Sequence, residues 1–274
     1  YSHWIEEIDE FPEFAKHEDR ARDIICNGSI RKLIEQRWGI DTEVISNVIA
    51  DRRIADRDVL LNSFINSAVD ADKLDYLTRD SFHCGVNYGK GIDIERLLGS
   101  LHMDSDTNRI CLTDKGRSSL LSILACRNIM YQEVYWHKTV RACDAMFKRF
   151  FYEYIKQEVG DIEGVKRCLG YSDDHFIGTL FTGSKHHKDL QALIAPFAFK
   201  GRRLYKPAYI FFEANASDEP LDTRHFFTRV LNASSYKQLV CLGNTLADDL
   251  KSHIPSIEHL DIIIEKTPVR PEHE

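Results

Sequence analysis

Asp72, Lys73, Tyr76, Arg79 and Asp80 lie in the stretch DADKLDYLTRDSFHCGVNYG, residues 70–89. At helical spacing they fall within an arc of roughly 120°, while Leu74 and Leu77 point the other way, toward a core. Carboxylates, cations and a phenol on one face can hold a metal ion or a phosphate. The plain alternative is a solvated face laced with i,i+4 ion pairs. Tyr76 sits amid the charges and the helix is approached through the apolar run FINSAV, so spacing alone leaves the two readings even. A second set, Arg127, Tyr131, Tyr135 and Lys138, recurs at steps of four, four and three in CRNIMYQEVYWHKTVRACDAM. Arg and Lys suit phosphate oxygens, and tyrosine donates a hydrogen bond or stacks on a sugar or base. Taken alone, an amphipathic helix with tyrosines at a core boundary explains this second set better.

These side chains need helices to carry them. Residues 1 to about 157 read as nearly all helix, with Ser29 as an N-cap in GSIRKLIEQRW and apolar residues three and four apart in DTEVISNVIADRR and in DRDVLLNSFINSAVDADKLDYLTRDSF. Gly85 and Gly89 place a loop at 85–91. DIERLLGSLHM resumes a helix, and NRICLTDKG reads as a short extended pair closed by a turn at Asp114 to Gly116. From Ser118 to Lys156 there is neither Pro nor Gly, which predicts one long helix. After Gly160, RRLYKPAYIFFE and HLDIIIEKTPV are β-branched and aromatic and read as strands, with helices in DTRHFFTRVLNASSYKQL and GNTLADDLKSHI. The fold class expected is mainly α: a helical domain over residues 1–160, then a smaller α+β region over 161–274.

Composition narrows the function classes. Hydrophobic residues make up 43% and charged ones 29%, as in a globular protein, and a net charge of -7 argues against binding nucleic acid with the whole surface. Seven cysteines without a CxxC pair point to a reducing compartment, hence a cytoplasmic location, with no disulfide framework and no zinc knuckle. The apolar runs are too short for a membrane span. The opening YSHWIEEIDEFPEF enters amphipathic sequence at once, as if in mid-domain.

DADKLDYLTRDSFHCGVNYGKGIDIERLL, followed by NRICLTDKG and VYWHKTVRA, resembles the HD-superfamily phosphohydrolases. The branch it is similar to is the bacterial, dGTPase-like relatives of the sterile-alpha-motif/HD deoxynucleoside triphosphate triphosphohydrolases. The likeness runs from about residue 2 to 156 and does not cover the C-terminal part closely. It implies an HD-domain helical fold with one divalent ion (Mn, Mg, Fe or Zn) held by an early His, a His-Asp dyad and a later Asp. The later Asp matches Asp72. YSH resembles the end of the family's HDxGHxPFSH segment, so the other ligands are expected upstream of Tyr1. His3 and His17 match active-site histidines, His17 the general acid, and Glu6 matches the carboxylate that works with it. Lys73 and Arg127 match residues that hold the triphosphate, and Tyr76 and Asp80 those near the sugar. Tyr135 resembles the tyrosine under C2′, which would make a deoxyribose preference steric. Tyr131 stands where some relatives carry His, and Trp136 where some carry Gln. Asp93, Arg96, Lys115, His137 and Lys138 resemble an allosteric nucleotide site between subunits, although Thr113 replaces an expected arginine.

The activity implied is metal-dependent hydrolysis of a deoxynucleoside triphosphate to nucleoside and inorganic triphosphate, with dGTP or another nucleotide as activator and a homo-oligomer, dimer or tetramer, as the assembly. Membrane and nucleic-acid partners are not expected. Two other readings stay open: an HD phosphatase or phosphodiesterase acting on mono- or cyclic nucleotides, and a catalytically silent nucleotide-binding or scaffold subunit.

Overall fold

The computed structural model describes residues 2–14, 17–50, 56–67, 69–199, 203–211 and 220–266, without the side chains of Ser2, residues 17–19 and residues 56–58. The fold is mainly α, and the described residues form two compact units. One takes residues 2–14 together with 138–266; the other is the intervening stretch, 17–137.

The first unit is organised around α9 (Lys138–Lys156). Its buried Met146, Phe147, Phe150 and Phe151 follow helical spacing and are packed by α10 (Ile162–Cys168), α11 (Asp173–Gly183), α12 (Lys188–Ala198) and α14 (Tyr236–Leu250), with α13 (Leu221–His225) preceding α14 in the chain. The N-terminal segment belongs to the same core. Ile5 on α1 (Ser2–Glu6), then Ile8, Phe11 and Phe14, are buried in it, and Phe11 packs edge-on against Phe14 and Phe151. Asp9 and Glu10 accept from the Tyr236 and Lys237 N–H groups at 2.9 and 2.6 Å, closing the first turn of α14 with carboxylates. Residues 203–211 and 259–266, the described parts of the two expected C-terminal strands, make no strand pairing. A β-branched run reads as a strand only if a second strand lies beside it, and here Leu204, Tyr205, Ile263 and Ile264 pack on helices instead.

The second unit holds α2 (His17–Ile25), α3 (Gly28–Leu33) with a π-helical turn at Ile34–Trp38, α4 (Thr42–Ile49), α5 (Asp56–Ile65), α6 (Ala71–His83) and α7 (Ile94–Leu98). A hairpin follows, β1 (Leu101–Asp104) antiparallel to β2 (Arg109–Leu112), then α8 (Arg117–Met130) running into a π-helical turn at Tyr131–Tyr135. Leu77, Leu97, Ile123 and Met130 form its core. Several boundaries differ from the sequence reading. Asn27, not Ser29, precedes α3 in N-cap position. DIERLLGSLHM is helical only to Leu98, and its tail is β1, so the extended partner of NRICL lies before it rather than after. Asp114–Gly116 is a 3₁₀ turn that starts α8. The stretch 118–156 is two helices with a break at Trp136 and His137, although no Pro or Gly marks it. There the helix widens to an i→i+5 turn, with the Trp136 N–H donating to the Tyr131 carbonyl at 2.8 Å, while Trp136 packs on Tyr131 at 5.4 Å. Aromatic packing, not a breaker residue, ends it.

Candidate functional site

Asp70 starts α6. It is buried at 4% exposure, and its Oδ1 accepts from the Lys73 N–H at 2.8 Å, satisfying one of the first-turn donors that a helix leaves without partners. Leu77 is fully buried, which fixes the rotation of the helix and turns Asp72, Tyr76 and Asp80, four residues apart, along one side. The loop after α6 is folded back against that helix. Ser81 Oγ donates to the Val86 carbonyl at 2.9 Å and accepts from the Gly89 N–H at 3.0 Å. A Cβ at Gly89 would fall inside the van der Waals envelope of the Leu77 carbonyl, so only glycine fits.

The end of α8 meets α6. The Tyr135 hydroxyl donates to Asp80 Oδ2 at 3.0 Å, 55 residues away in sequence. Arg79 donates to the other oxygen of Asp80 at 2.8 Å and to Asp75 at 3.0 Å. The rings of Tyr76 and Tyr135 stand edge to face at 6.0 Å, Tyr131 and Tyr135 at 5.1 Å, and the Arg127 guanidinium lies 5.4 Å from the centre of the Tyr131 ring. Burial pushes the Tyr76 phenol up to about 12; the neighbouring Tyr131 adds to this and Arg127 opposes it. Burial first, then the hydrogen bond to Asp80, raises Tyr135 further. Both phenols are therefore neutral donors at physiological pH.

Lys73 is held as well as charged. Its ammonium donates to Asp70 Oδ2 at 2.6 Å and to the Ser67 carbonyl at 3.0 Å, which uses two of its three N–H donors. Asp70 was not among the residues singled out from sequence. The signal was present: an Asp three residues before a Lys, at the entry to an apolar-periodic run, is an N-cap pattern.

The remaining sequence candidates fall elsewhere. Asp72 is exposed in the first turn of α6. Among the described residues no three His, Cys, Asp or Glu side chains come together as a metal-holding group. One carboxylate does not make a site for a divalent ion, which takes several ligands, so the described residues do not fit the implied metal. His3 and Glu6 lie on α1 in the first unit, 3.7 Å apart. The His17 side chain lies outside the described residues. Asp93 caps α7 by accepting from the Arg96 N–H at 2.9 Å. Arg96, Lys115 and His137 are exposed in the second unit, and Lys138 is exposed at the start of α9 in the first. A cavity of about 230 Å³ lies between α5 and the hairpin, lined by Leu60, Phe64, Leu101, His102, Met103 and Ile110, and shares no residue with the polar face of α6. No helix among the described residues is long and apolar enough to cross a membrane.

Residues 92–232, just over half of the chain, match the family described as the HD associated region, and the chain belongs to that family. It is 40% identical over 106 residues to an uncharacterised protein of Methanocaldococcus jannaschii, covering 38% of this chain and 23% of that one. It is 25% identical over 154 residues to the human deoxynucleoside triphosphate triphosphohydrolase, covering 51% of this chain and 24% of the relative. A solved structure of a hypothetical protein from Aquifex aeolicus superposes with a TM-score of 0.56 at 27% identity, over 66% of this chain and 48% of that one. The chain thus spans about a quarter of these curated relatives and about half of the solved one.

Proposed function

We propose that the face built by α6 and the end of α8 holds a deoxynucleoside triphosphate, and that the protein to which this sequence belongs hydrolyses it to a deoxynucleoside and inorganic triphosphate. The observation that carries the reading is the meeting of Tyr135 with Asp80 at 3.0 Å, with Tyr76, Tyr131 and Arg127 beside it. Two segments 55 residues apart thereby present a cation, a carboxylate and three phenols together, which is chemistry suited to phosphate, sugar and base in that order. The partial likeness to a human enzyme named deoxynucleoside triphosphate triphosphohydrolase supports the same substrate class.

In this reading Arg127 and the third N–H of Lys73 offset charge on the phosphate oxygens. Asp80, already an acceptor for Tyr135 and Arg79, accepts in addition from the sugar 3′-hydroxyl through a remaining lone pair. The Tyr135 ring packs under C2′, where a ribose hydroxyl would clash. His17 supplies the proton to the departing 5′-oxygen; an imidazole near pKa 6.5 is suited to that task. Asp72 lies on the same helix, but among the described residues no group of His, Cys, Asp or Glu side chains forms that would hold a divalent ion. Asp93, Arg96, Lys115, His137 and Lys138 are the candidates for a second nucleotide, dGTP or another, bound between copies of a dimer or tetramer.

The test is product analysis of the full-length protein with dGTP and manganese or magnesium. Intact tripolyphosphate with deoxyguanosine is the expected result. Release of orthophosphate or pyrophosphate would refute the chemistry and favour a phosphatase or phosphodiesterase.

A further inference from the structure

Lys73 is offered above as a phosphate ligand, yet its charge is already partly answered. The Asp70 carboxylate touches the ammonium at 2.6 Å with both side chains nearly buried, 5% and 12% exposed, and the Ser67 carbonyl takes a second N–H at 3.0 Å. An anion approaching Lys73 meets an ammonium with one N–H left and a carboxylate already beside it. We infer that Asp70 is a positioning residue of the proposed site: it aims the last N–H of Lys73 and weakens its hold on phosphate, so that the triphosphate product can leave. The inference rests on the nucleotide reading of this face.

The physical case has two parts. The same carboxylate uses one oxygen to cap α6 and the other to bind the ammonium, so the direction of Lys73 is tied to the helix that also carries Tyr76 and Asp80. Few solvent molecules can screen a pair this buried, so the Asp70 charge bears on any anion bound at Lys73 more strongly than an exposed carboxylate would. A helix that needed only a cap would be served equally by Asn or Ser, which cap without charge. Those two substitutions therefore separate capping from charge.

The experiment is calorimetric titration of the whole protein with inorganic tripolyphosphate, after thermal unfolding has shown each variant folded. The wild type binds, and Lys73→Ala binds at least tenfold more weakly. Asp70→Asn binds at least fivefold tighter than wild type. With dNTP as substrate, its KM and kcat both fall, because product leaves more slowly; a purely structural lesion would lower kcat without tightening product binding. Asp70→Glu keeps the charge and stays within twofold of wild type. Should Asp70→Asn not fold, Asp70→Ser is read in the same way, since it caps as well and leaves room for a water on the ammonium. Unchanged or weaker binding in the folded neutral variant, with Lys73→Ala still defective, overturns the role of Asp70 and leaves the nucleotide reading standing. If wild type and Lys73→Ala bind alike, the nucleotide reading fails and the inference falls with it.

Discussion

Asp144→Asn should make the first unit more stable at pH 8 while leaving it unchanged near pH 3. Asp144 lies on α9 in a cluster of three carboxylates and two cations. Lys148 is bound by Glu7 at 2.7 Å and Glu265 at 2.5 Å, and Arg141 by Glu265 at 2.5 Å, while Asp144 has only a long 3.5 Å approach from Arg141. Among the described residues its Oδ1 is buried with no hydrogen-bond partner. Burial is the main reason its carboxyl is pushed up from 3.8 to about 6; Arg141 and Lys148 oppose this, and Glu265 and Glu7 add to it. Glu265 is raised for the same first reason.

The sign follows from linkage. A carboxyl whose folded-state pKa is raised binds its proton more tightly when folded, so its contribution to stability is complete below about 4 and is lost as pH rises through about 6. A rise from 3.8 to about 6 corresponds to roughly 3 kcal/mol as an upper bound. Asparagine keeps the shape and removes the titration. Wild type and variant should therefore unfold alike near pH 3, and the variant should gain on the order of 1–3 kcal/mol by pH 8. Chemical denaturation of both proteins across that range, in buffers of matched ionic strength, measures the difference; other titrating groups cancel in it. A difference that stays flat with pH, or an Asp144→Asn protein that is less stable at pH 8, would refute the reasoning.

Gly89→Ala should destabilise the second unit by about 1–3 kcal/mol, the usual cost of forcing atoms into a filled space, because its methyl meets the Leu77 carbonyl and the Ser81 side chain; thermal unfolding measures it. Tyr135→Phe keeps the ring contacts with Tyr76 and Tyr131 but removes the donor to Asp80. It should lower stability by about 1–2 kcal/mol and weaken dNTP binding, and unchanged affinity in a calorimetric titration would count against the bond as part of the site.

Much of the site's frame is legible in the chain. The polar side of α6 and its buried Leu77 follow from periodicity, and the loop at 85–91 from two glycines. The start of α6 at Ala71 does not, because DRDVLLNSFINSAVDADKLDYLTRDSF reads as one helical stretch and the structure divides it into α5 and α6. Other features depend on contacts distant in sequence. The break at 136–137 is made by Tyr131 packing on Trp136, and no propensity signals it. The C-terminal runs 203–211 and 259–266 have strand composition but meet helices, and composition cannot say what lies alongside. Residues 2–14 read as amphipathic helix; in the structure only Ser2–Glu6 is helical, and Asp9 and Glu10 in the rest accept from the first N–H groups of α14. The hold of Asp70 on Lys73 was hidden for a different reason. Sequence lists a cation without showing which of its donors are already taken.

Hydrogen–deuterium exchange of the full-length protein, with and without a saturating dNTP, tests the central claim most directly. Nucleotide should slow exchange in two separated stretches at once, residues 72–80 and 127–135. Protection of one stretch without the other, or of neither while the nucleotide is demonstrably bound, would contradict a single ligand held between them.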